Sequence, residues 1–170
     1  VVRELAEELR PDIVVNCVGI IKQREAAKEP LPSIEVNALL PHQLARLSME
    51  LGARFIHFST DCVFSGSRGY YTESDISDAV DIYGRTKFLG ELDRANTLTI
   101  RTSIIGRELA HFQSLLEWFL SQQGKTVSGF TRAWFSGVTT NYLAKLIWTL
   151  TSEFPELSGL YHVAGPRISK

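Results

Sequence analysis

Phe55-Ile56-His57-Phe58-Ser59-Thr60-Asp61 is the stretch on which the fold turns. An almost unbroken apolar run breaks off in two hydroxyls and a carboxylate. Such a run suits a strand covered on both faces, as strands of a parallel sheet are, and the polar residues mark its carboxyl end. The same design recurs on either side. Ile13-Val14-Val15 ends in Asn16-Cys17-Val18-Gly19, Leu98-Thr99-Ile100 ends in Arg101-Thr102-Ser103, and Leu160-Tyr161-His162-Val163 is the last such run. Between them the apolar period changes to that of helices. Val1, Val2, Leu5 and Leu9 fit a short helix that stops before Pro11. From Ser33, the residues Val36, Leu39, Leu40, Leu44, Leu47 and Leu51 give a longer helix with Gly52 as its stop. Pro41 should kink that helix or begin a second segment. Another helix is expected over residues 81 to 95, one through Phe112, Leu115, Leu116, Phe119 and Leu120, and one through Leu143, Leu146, Ile147 and Leu150 capped by Thr139 or Thr140. Gly66, Gly69 and the polar stretch Thr72 to Asp78 form a long loop of the functional kind. Strands and helices in alternation imply an α/β fold, a doubly wound parallel sheet with helices on both faces.

Composition narrows the function classes. The chain has 170 residues, enough for one domain, and a formal net charge of -1, which gives no electrostatic footprint for nucleic acid or an anionic membrane. No apolar run is long enough to span a membrane, and nothing resembles a signal peptide. Cys17 and Cys62 form no CxxC pair, so a cytoplasmic location is expected. His42, His57, His111 and His162 show no metal-ligand spacing and read as surface or core residues; no metal is expected. The first residue is Val1 rather than methionine, which suggests a fragment.

Ligands of doubly wound sheets bind beyond the carboxyl ends of the strands. Three of those ends here are small or hydroxyl-rich. Such residues also follow strands merely to make local backbone hydrogen bonds, so singly they say little. The helix after the long loop opens Tyr83-Gly84-Arg85-Thr86-Lys87. Residues four apart share a helix face, which places an ammonium beside a phenol. Bringing a tyrosine from a pKa of ~10 to ~7 takes ~4 kcal/mol, which a unit charge at about 4 Å in a partly buried site can supply. The pair is therefore a candidate general acid/base, although a surface tyrosine and a solvated lysine would have the same spacing.

Pro11-Asp12-Ile13-Val14-Val15-Asn16, Ser59-Thr60-Asp61-Cys62-Val63-Phe64-Ser65-Gly66, Tyr83-Gly84-Arg85-Thr86-Lys87 with Gly90-Glu91, and Arg101-Thr102-Ser103 together resemble the extended short-chain dehydrogenase/reductase family. The likeness is strongest to the branch of dTDP-4-dehydrorhamnose reductase and related sugar-nucleotide 4-reductases. It runs the length of the chain and is most specific up to Ser103. The resemblance implies a Rossmann-like NAD(P)-binding domain over 1–170, with parts of the substrate-binding region near 104–140. It implies NADP(H) or NAD(H) as cofactor and a sugar nucleotide as substrate, with homodimer formation left open. By the resemblance, Thr60, Tyr83 and Lys87 are catalytic. Thr60 would hydrogen-bond the substrate carbonyl and Tyr83 would deliver the proton. Lys87 would hold the nicotinamide ribose and lower the tyrosine's pKa. Cys17, Val18, Gly19, Ser59, Thr102 and Ser103 would lie along the cofactor, with Tyr83 and Lys87. Asp61, Cys62, Val63 and Ile104 would meet the sugar.

Two departures bear on substrate. Cys62 and Ile104 stand where the rhamnose-pathway reductases usually carry Tyr and Trp, so a hexose other than 4-dehydrorhamnose is expected. The family's first strands and glycine-rich pyrophosphate turn are also missing from these residues, so the sheet should be incomplete and the isolated chain inactive. Three functions stay open: NAD(P)H-dependent 4-keto sugar-nucleotide reduction, epimerisation or dehydration by the same superfamily, and non-catalytic cofactor binding like that of the regulatory subunit of methionine adenosyltransferase.

Overall fold

The computed structural model describes residues 1–22, 29–110, 112 and 114–169. His111 lies outside the described residues. The chain divides into two compact units, Val1–Arg101 with Glu156–His162, and Thr102–Pro155 with Val163–Lys170.

The first unit is built on a sheet of four parallel strands in the order β1-β2-β3-β7: Ile13–Asn16, Arg54–Ser59, Thr97–Arg101 and Gly159–His162. The expected strands are all present, each a residue or two displaced at its ends. Since every pairing is parallel, the carboxyl ends fall along one edge, as the sequence implied. Phe55, Ile56, Leu98 and Ile100 are almost wholly buried. Alternation along β1 sends Val14 against the cluster of Ala45, Phe55 and Leu92, on which Leu44 also packs, while Val15 on the opposite face is exposed.

The connections differ from expectation in instructive ways. α1 (Val2–Leu9) ends at Arg10, whose φ of 47° turns the chain before Pro11. The long helix is one stretch of three pieces, α2 (Pro30–Ser33), a π-helical segment (Ile34–Leu39) and α3 (Leu40–Glu50). Pro41 sits in the first turn of α3 and has no N–H for the carbonyl of Asn37, so the wider π turn falls where an α-helical bond could not form. Gly90 meets that carbonyl directly: a Cβ there would lie 2.0 Å from the Asn37 oxygen. α4 (Ile82–Leu89) is half the length expected. It stops at Gly90 because the next residues have other partners: Glu91 pairs with Arg101, and both the N–H and the carbonyl of Leu92 bond the Thr99 hydroxyl.

In the second unit, β4 (Ile104–Ile105) pairs in parallel with β6 (Val138–Thr139), and β5 (Trp134–Phe135) pairs antiparallel with β8 (Ile168–Ser169). Strands of two residues leave no periodicity to read, and none was expected. α5 (Leu115–Ser121) begins three residues after Phe112, which has a φ of 50° and lies outside the helix. α6 (Thr140–Ser152) is capped by Thr139, whose hydroxyl accepts from the Tyr142 N–H at 3.1 Å, settling the alternative between Thr139 and Thr140.

Candidate active site

β2 delivers Thr60 in an extended conformation at the carboxyl edge of the sheet. Its Oγ1 accepts the Cys62 N–H at 3.2 Å, capping the single 3₁₀ turn Asp61–Val63, and donates to Asp61 Oδ1 at 3.2 Å. The loop that follows folds back: Ser77 Oγ and Ala79 N both bond the Val63 carbonyl. α4 then starts at Asp81, whose carboxylate accepts the Gly84 N–H at 2.7 Å. Gly84 is required by proximity, since a Cβ there would stand 2.2 Å from the Cys62 carbonyl. The first turn of α4, with Tyr83, is thereby seated on the turn that carries Thr60.

One turn along α4, Lys87 is 5% exposed and donates Nζ–H to the Phe58 carbonyl at 2.6 Å. Burial lowers its pKa to about 8, with Glu91 pulling the other way. The phenol does not follow the expected direction. Burial pushes Tyr83 above the usual tyrosine value, the Cys62 and Asp61 charges add to that, and Thr60 and Lys22 oppose it. Desolvating the phenolate outweighs what the Thr60 hydroxyl and the Lys22 ammonium return. Tyr83 is consequently held protonated at neutral pH, the form a proton donor needs.

Beside β1, Asn16 braces the strand end: Oδ1 accepts the Val18 N–H at 3.1 Å, and Nδ2 lies 3.1 Å from His57 Nδ1. An amide N–H can only donate, so His57 Nδ1 is the acceptor and the imidazole is neutral. Burial, with Lys87 and His42 adding repulsion, lowers His57 to about 3. Asn37, wholly buried in the π segment, binds both the N–H and the carbonyl of Ile20, at 2.8 and 2.9 Å, and reaches Thr86 Oγ1 at 3.4 Å. One side chain so ties the loop after β1 to α4. Cys17, Val18 and Gly19 are exposed along that loop.

A third cluster fixes the other side. Arg101 forms a two-pronged bond with Glu91, Nε to Oε1 at 2.8 Å and Nη2 to Oε2 at 2.7 Å, and Ser59 Oγ donates to the same carboxylate at 2.5 Å. Arg101 Nη1 also lies 3.2 Å from His162 Nε2, and its guanidinium stacks 5.1 Å from the centre of Phe64. Glu73 Oε1 accepts the His162 N–H at 2.8 Å, so the long loop is anchored to β7.

The sequence-derived residues divide accordingly. Thr60, Asp61, Cys62, Tyr83 and Lys87 gather at the β2 edge. Ser59 is there too, but its hydroxyl is engaged by Glu91. The Val63 side chain is wholly buried, and its carbonyl accepts from Ser77 Oγ and Ala79 N. Thr102, Ser103 and Ile104 belong to the second unit, where Thr102 Oγ1 donates to the Val163 carbonyl at 2.8 Å and the Ser103 carbonyl accepts the Val138 N–H at 2.9 Å. Sequence reasoning missed Asn37, Lys22 and the role of Glu91. The signal for Asn37 was a lone amide in an otherwise apolar helical stretch. No cluster able to hold a metal occurs among the described residues, and none of their helices is long and apolar enough to cross a membrane.

The model of the RmlD substrate-binding domain matches residues 1–169. The dTDP-4-dehydrorhamnose reductase of Salmonella typhimurium (strain LT2) is 31% identical over 179 residues, covering 96% of this chain and 58% of that protein. The crystal structure of dTDP-4-dehydrorhamnose reductase from Bacillus anthracis in complex with NADP superposes with a TM-score of 0.83 at 27% identity, covering 99% of this chain and 61% of that one. A hypothetical dTDP-4-dehydrorhamnose reductase from Sulfolobus tokodaii gives a TM-score of 0.84 at 28% identity, over 99% of this chain and 60% of its own. The chain thus spans about three fifths of these proteins, and it belongs to the family of the RmlD substrate-binding domain.

Proposed function

We propose that this chain carries the proton-donating half of an NAD(P)H-dependent, short-chain-type oxidoreductase that reduces a 4-keto sugar nucleotide. The observation that carries the reading is the seating of Tyr83, in the first turn of α4, on the Thr60 turn at the carboxyl edge of the sheet, with Lys87 buried one turn away. The Thr60 oxygen accepts the Cys62 N–H and its single proton goes to Asp61 Oδ1 at 3.2 Å; turned away from Asp61, that proton would meet a substrate carbonyl. Tyr83, protonated at neutral pH, gives its proton to that carbonyl oxygen. The residues also fit a nicotinamide cofactor. An ammonium has three protons, and among the described residues Phe58 supplies its one hydrogen-bond acceptor, so Lys87 keeps two for the hydroxyls of a ribose. Cys17, Val18 and Gly19 offer an exposed strand end at the same edge of the sheet. When bound, the reduced nicotinamide supplies the hydride. The names of the Salmonella relative and of the NADP-bound structure agree with this chemistry. Cys62 and Ile104 in place of the two aromatics favour a hexose other than 4-dehydrorhamnose, with room for a larger substituent.

Tyr83→Phe in the full-length protein removes one hydroxyl and leaves α4 packed. Turnover of NADPH with a panel of 4-keto sugar nucleotides should fall by ~10²-fold or more, with cofactor binding retained. A folded Tyr83→Phe protein that keeps most of its activity would overturn the reading.

A further inference from the structure

Lys22 follows the loop from β1, and neither its spacing nor any motif singles it out. Its ammonium lies 2.7 Å from Asp81 Oδ2 and 5.7 Å from the centre of the Tyr83 ring. Asp81 is itself fixed, because its other carboxylate oxygen caps α4 through the Gly84 N–H. The cation is therefore held by the same residue that sets the helix turn on which Tyr83 sits. Both partners of the ion pair are close to half exposed, and exposed pairs contribute roughly 0–1 kcal/mol to stability. Fold stability does not account for placing it there.

Proton donation has a charge consequence at this position. As hydride adds to the carbonyl carbon, the phenol O–H bond breaks, a new O–H bond forms on the substrate, and the negative charge stays on Tyr83 Oη. Asp61 and Cys62, on the turn facing the ring, oppose a negative charge there, and Thr60 assists it by hydrogen bonding. Lys87 is on the same helix, with its ammonium against the Phe58 carbonyl. Lys22 approaches from a different element, the β1 loop.

We propose that Lys22, braced by Asp81, is a positioning residue that stabilises the phenolate of Tyr83 after the proton has left, and that Asp81 moderates this effect by sharing the ammonium's charge. The proposal rests on the reading of Tyr83 as the proton donor. Its electrostatic basis is consistent with Lys22 acting on Tyr83 against the burial that keeps the phenol protonated.

The two substitutions have opposite expected signs. Lys22→Met removes the cation, and the phenol titration should move up by about half to one pH unit. Asp81→Asn keeps a side-chain oxygen for the Gly84 N–H, so the helix cap survives, but it frees the ammonium. The titration should then move down by a similar amount. Lys22→Arg should restore the wild-type value. The measurement is an ultraviolet difference titration of the full-length protein, with Tyr83→Phe as the blank, run beside the pH profile of kcat. Opposite shifts for Lys22→Met and Asp81→Asn support the proposal. Shifts of the same sign, or none, overturn it. Because the titration reads ionisation rather than turnover, opposite shifts in a protein whose Tyr83→Phe variant stays active would fault the catalytic reading and leave the Lys22–Tyr83 coupling standing.

Discussion

The two units bury charge in different ways. In the sheet unit, Arg101 and Glu91 are 5% and 6% exposed, bonded through two prongs and joined by Ser59. In the second unit, Arg107 and Glu117 are 2.6 Å apart, but the arginine is 70% exposed and only the glutamate is buried, bonded further by the Glu108 N–H. The apolar residues differ in the same sense. The sheet unit hides Phe55, Ile56, Leu92, Leu98 and Ile100, whereas Trp118, Phe119, Phe130, Trp134 and Trp148 of the second unit are exposed. The first unit thus holds its site residues through buried polar networks laid over a packed sheet. The second presents aromatic surface, part of it on the 13-residue α6.

The sharpest way to break this comparison is to remove one acid from each unit. Glu91→Ala leaves the Arg101 guanidinium buried without its carboxylate and takes the partner of Ser59 as well. Breaking a buried pair from one side costs about 3–5 kcal/mol. Glu117→Ala leaves an arginine that is already mostly in water, and should cost about 1 kcal/mol. Denaturant midpoints of the two variants in the full-length protein would measure both. Equal losses would mean that the two pairs are energetically alike, whatever their burial.

The same contrast explains what could be read from the sequence. The strands of the sheet unit were legible because runs such as Phe55-Ile56-His57-Phe58 have few other fates, and their polar ends mark one edge. That Thr60, Tyr83 and Lys87 fall at one edge was legible through the resemblance, in which strand end, loop and helix start come in that order. The pKa direction of Tyr83 was not, because burial of the ring depends on Gly84 seating α4 against Cys62. Nor was the early end of α4, which follows from Arg101 and Thr99 claiming Glu91 and Leu92 across the fold. In the second unit, β4, β5, β6 and β8 are two residues each, too short to leave a period.

A pH measurement sharpens the comparison further, because it isolates the buried cation of the first unit. Folded Lys87 loses its proton near pH 8, whereas in the unfolded chain it holds it to its ordinary value of 10.5. Below pH 8 both states are protonated, and the cost of burying the ammonium is fully present. Between the two values the unfolded state binds more protons, so stability rises with pH, by as much as about 3 kcal/mol. Lys87→Met, which cannot titrate, should lack this rise. The difference in unfolding free energy between wild type and Lys87→Met, followed from neutral pH to pH 10.5, cancels the groups they share. A flat difference would show that Lys87 is solvated in the folded protein.

The smallest expected effect tests the second unit on its own terms. Thr139 ends β6 and caps α6, with Oγ1 accepting the Tyr142 N–H at 3.1 Å. Its φ of -74° and ψ of 150° keep it outside the helix, so its side chain reaches back to an orphan donor of the first turn. Thr139→Ala removes that acceptor and should cost about 1 kcal/mol, at the middle of the range for such caps. Thr139 is exposed, so water can replace the lost bond in part, which keeps the cost below that of Glu91→Ala. Thr139→Ser keeps the hydroxyl and should stay within about 0.5 kcal/mol of wild type, since Ser caps at least as well as Thr. If Thr139→Ser were as harmful as Thr139→Ala, the γ-methyl or the β6 pairing with Ile105 would be what holds this end of the helix. The second unit would then depend on side-chain packing after all, and its contrast with the sheet unit would narrow.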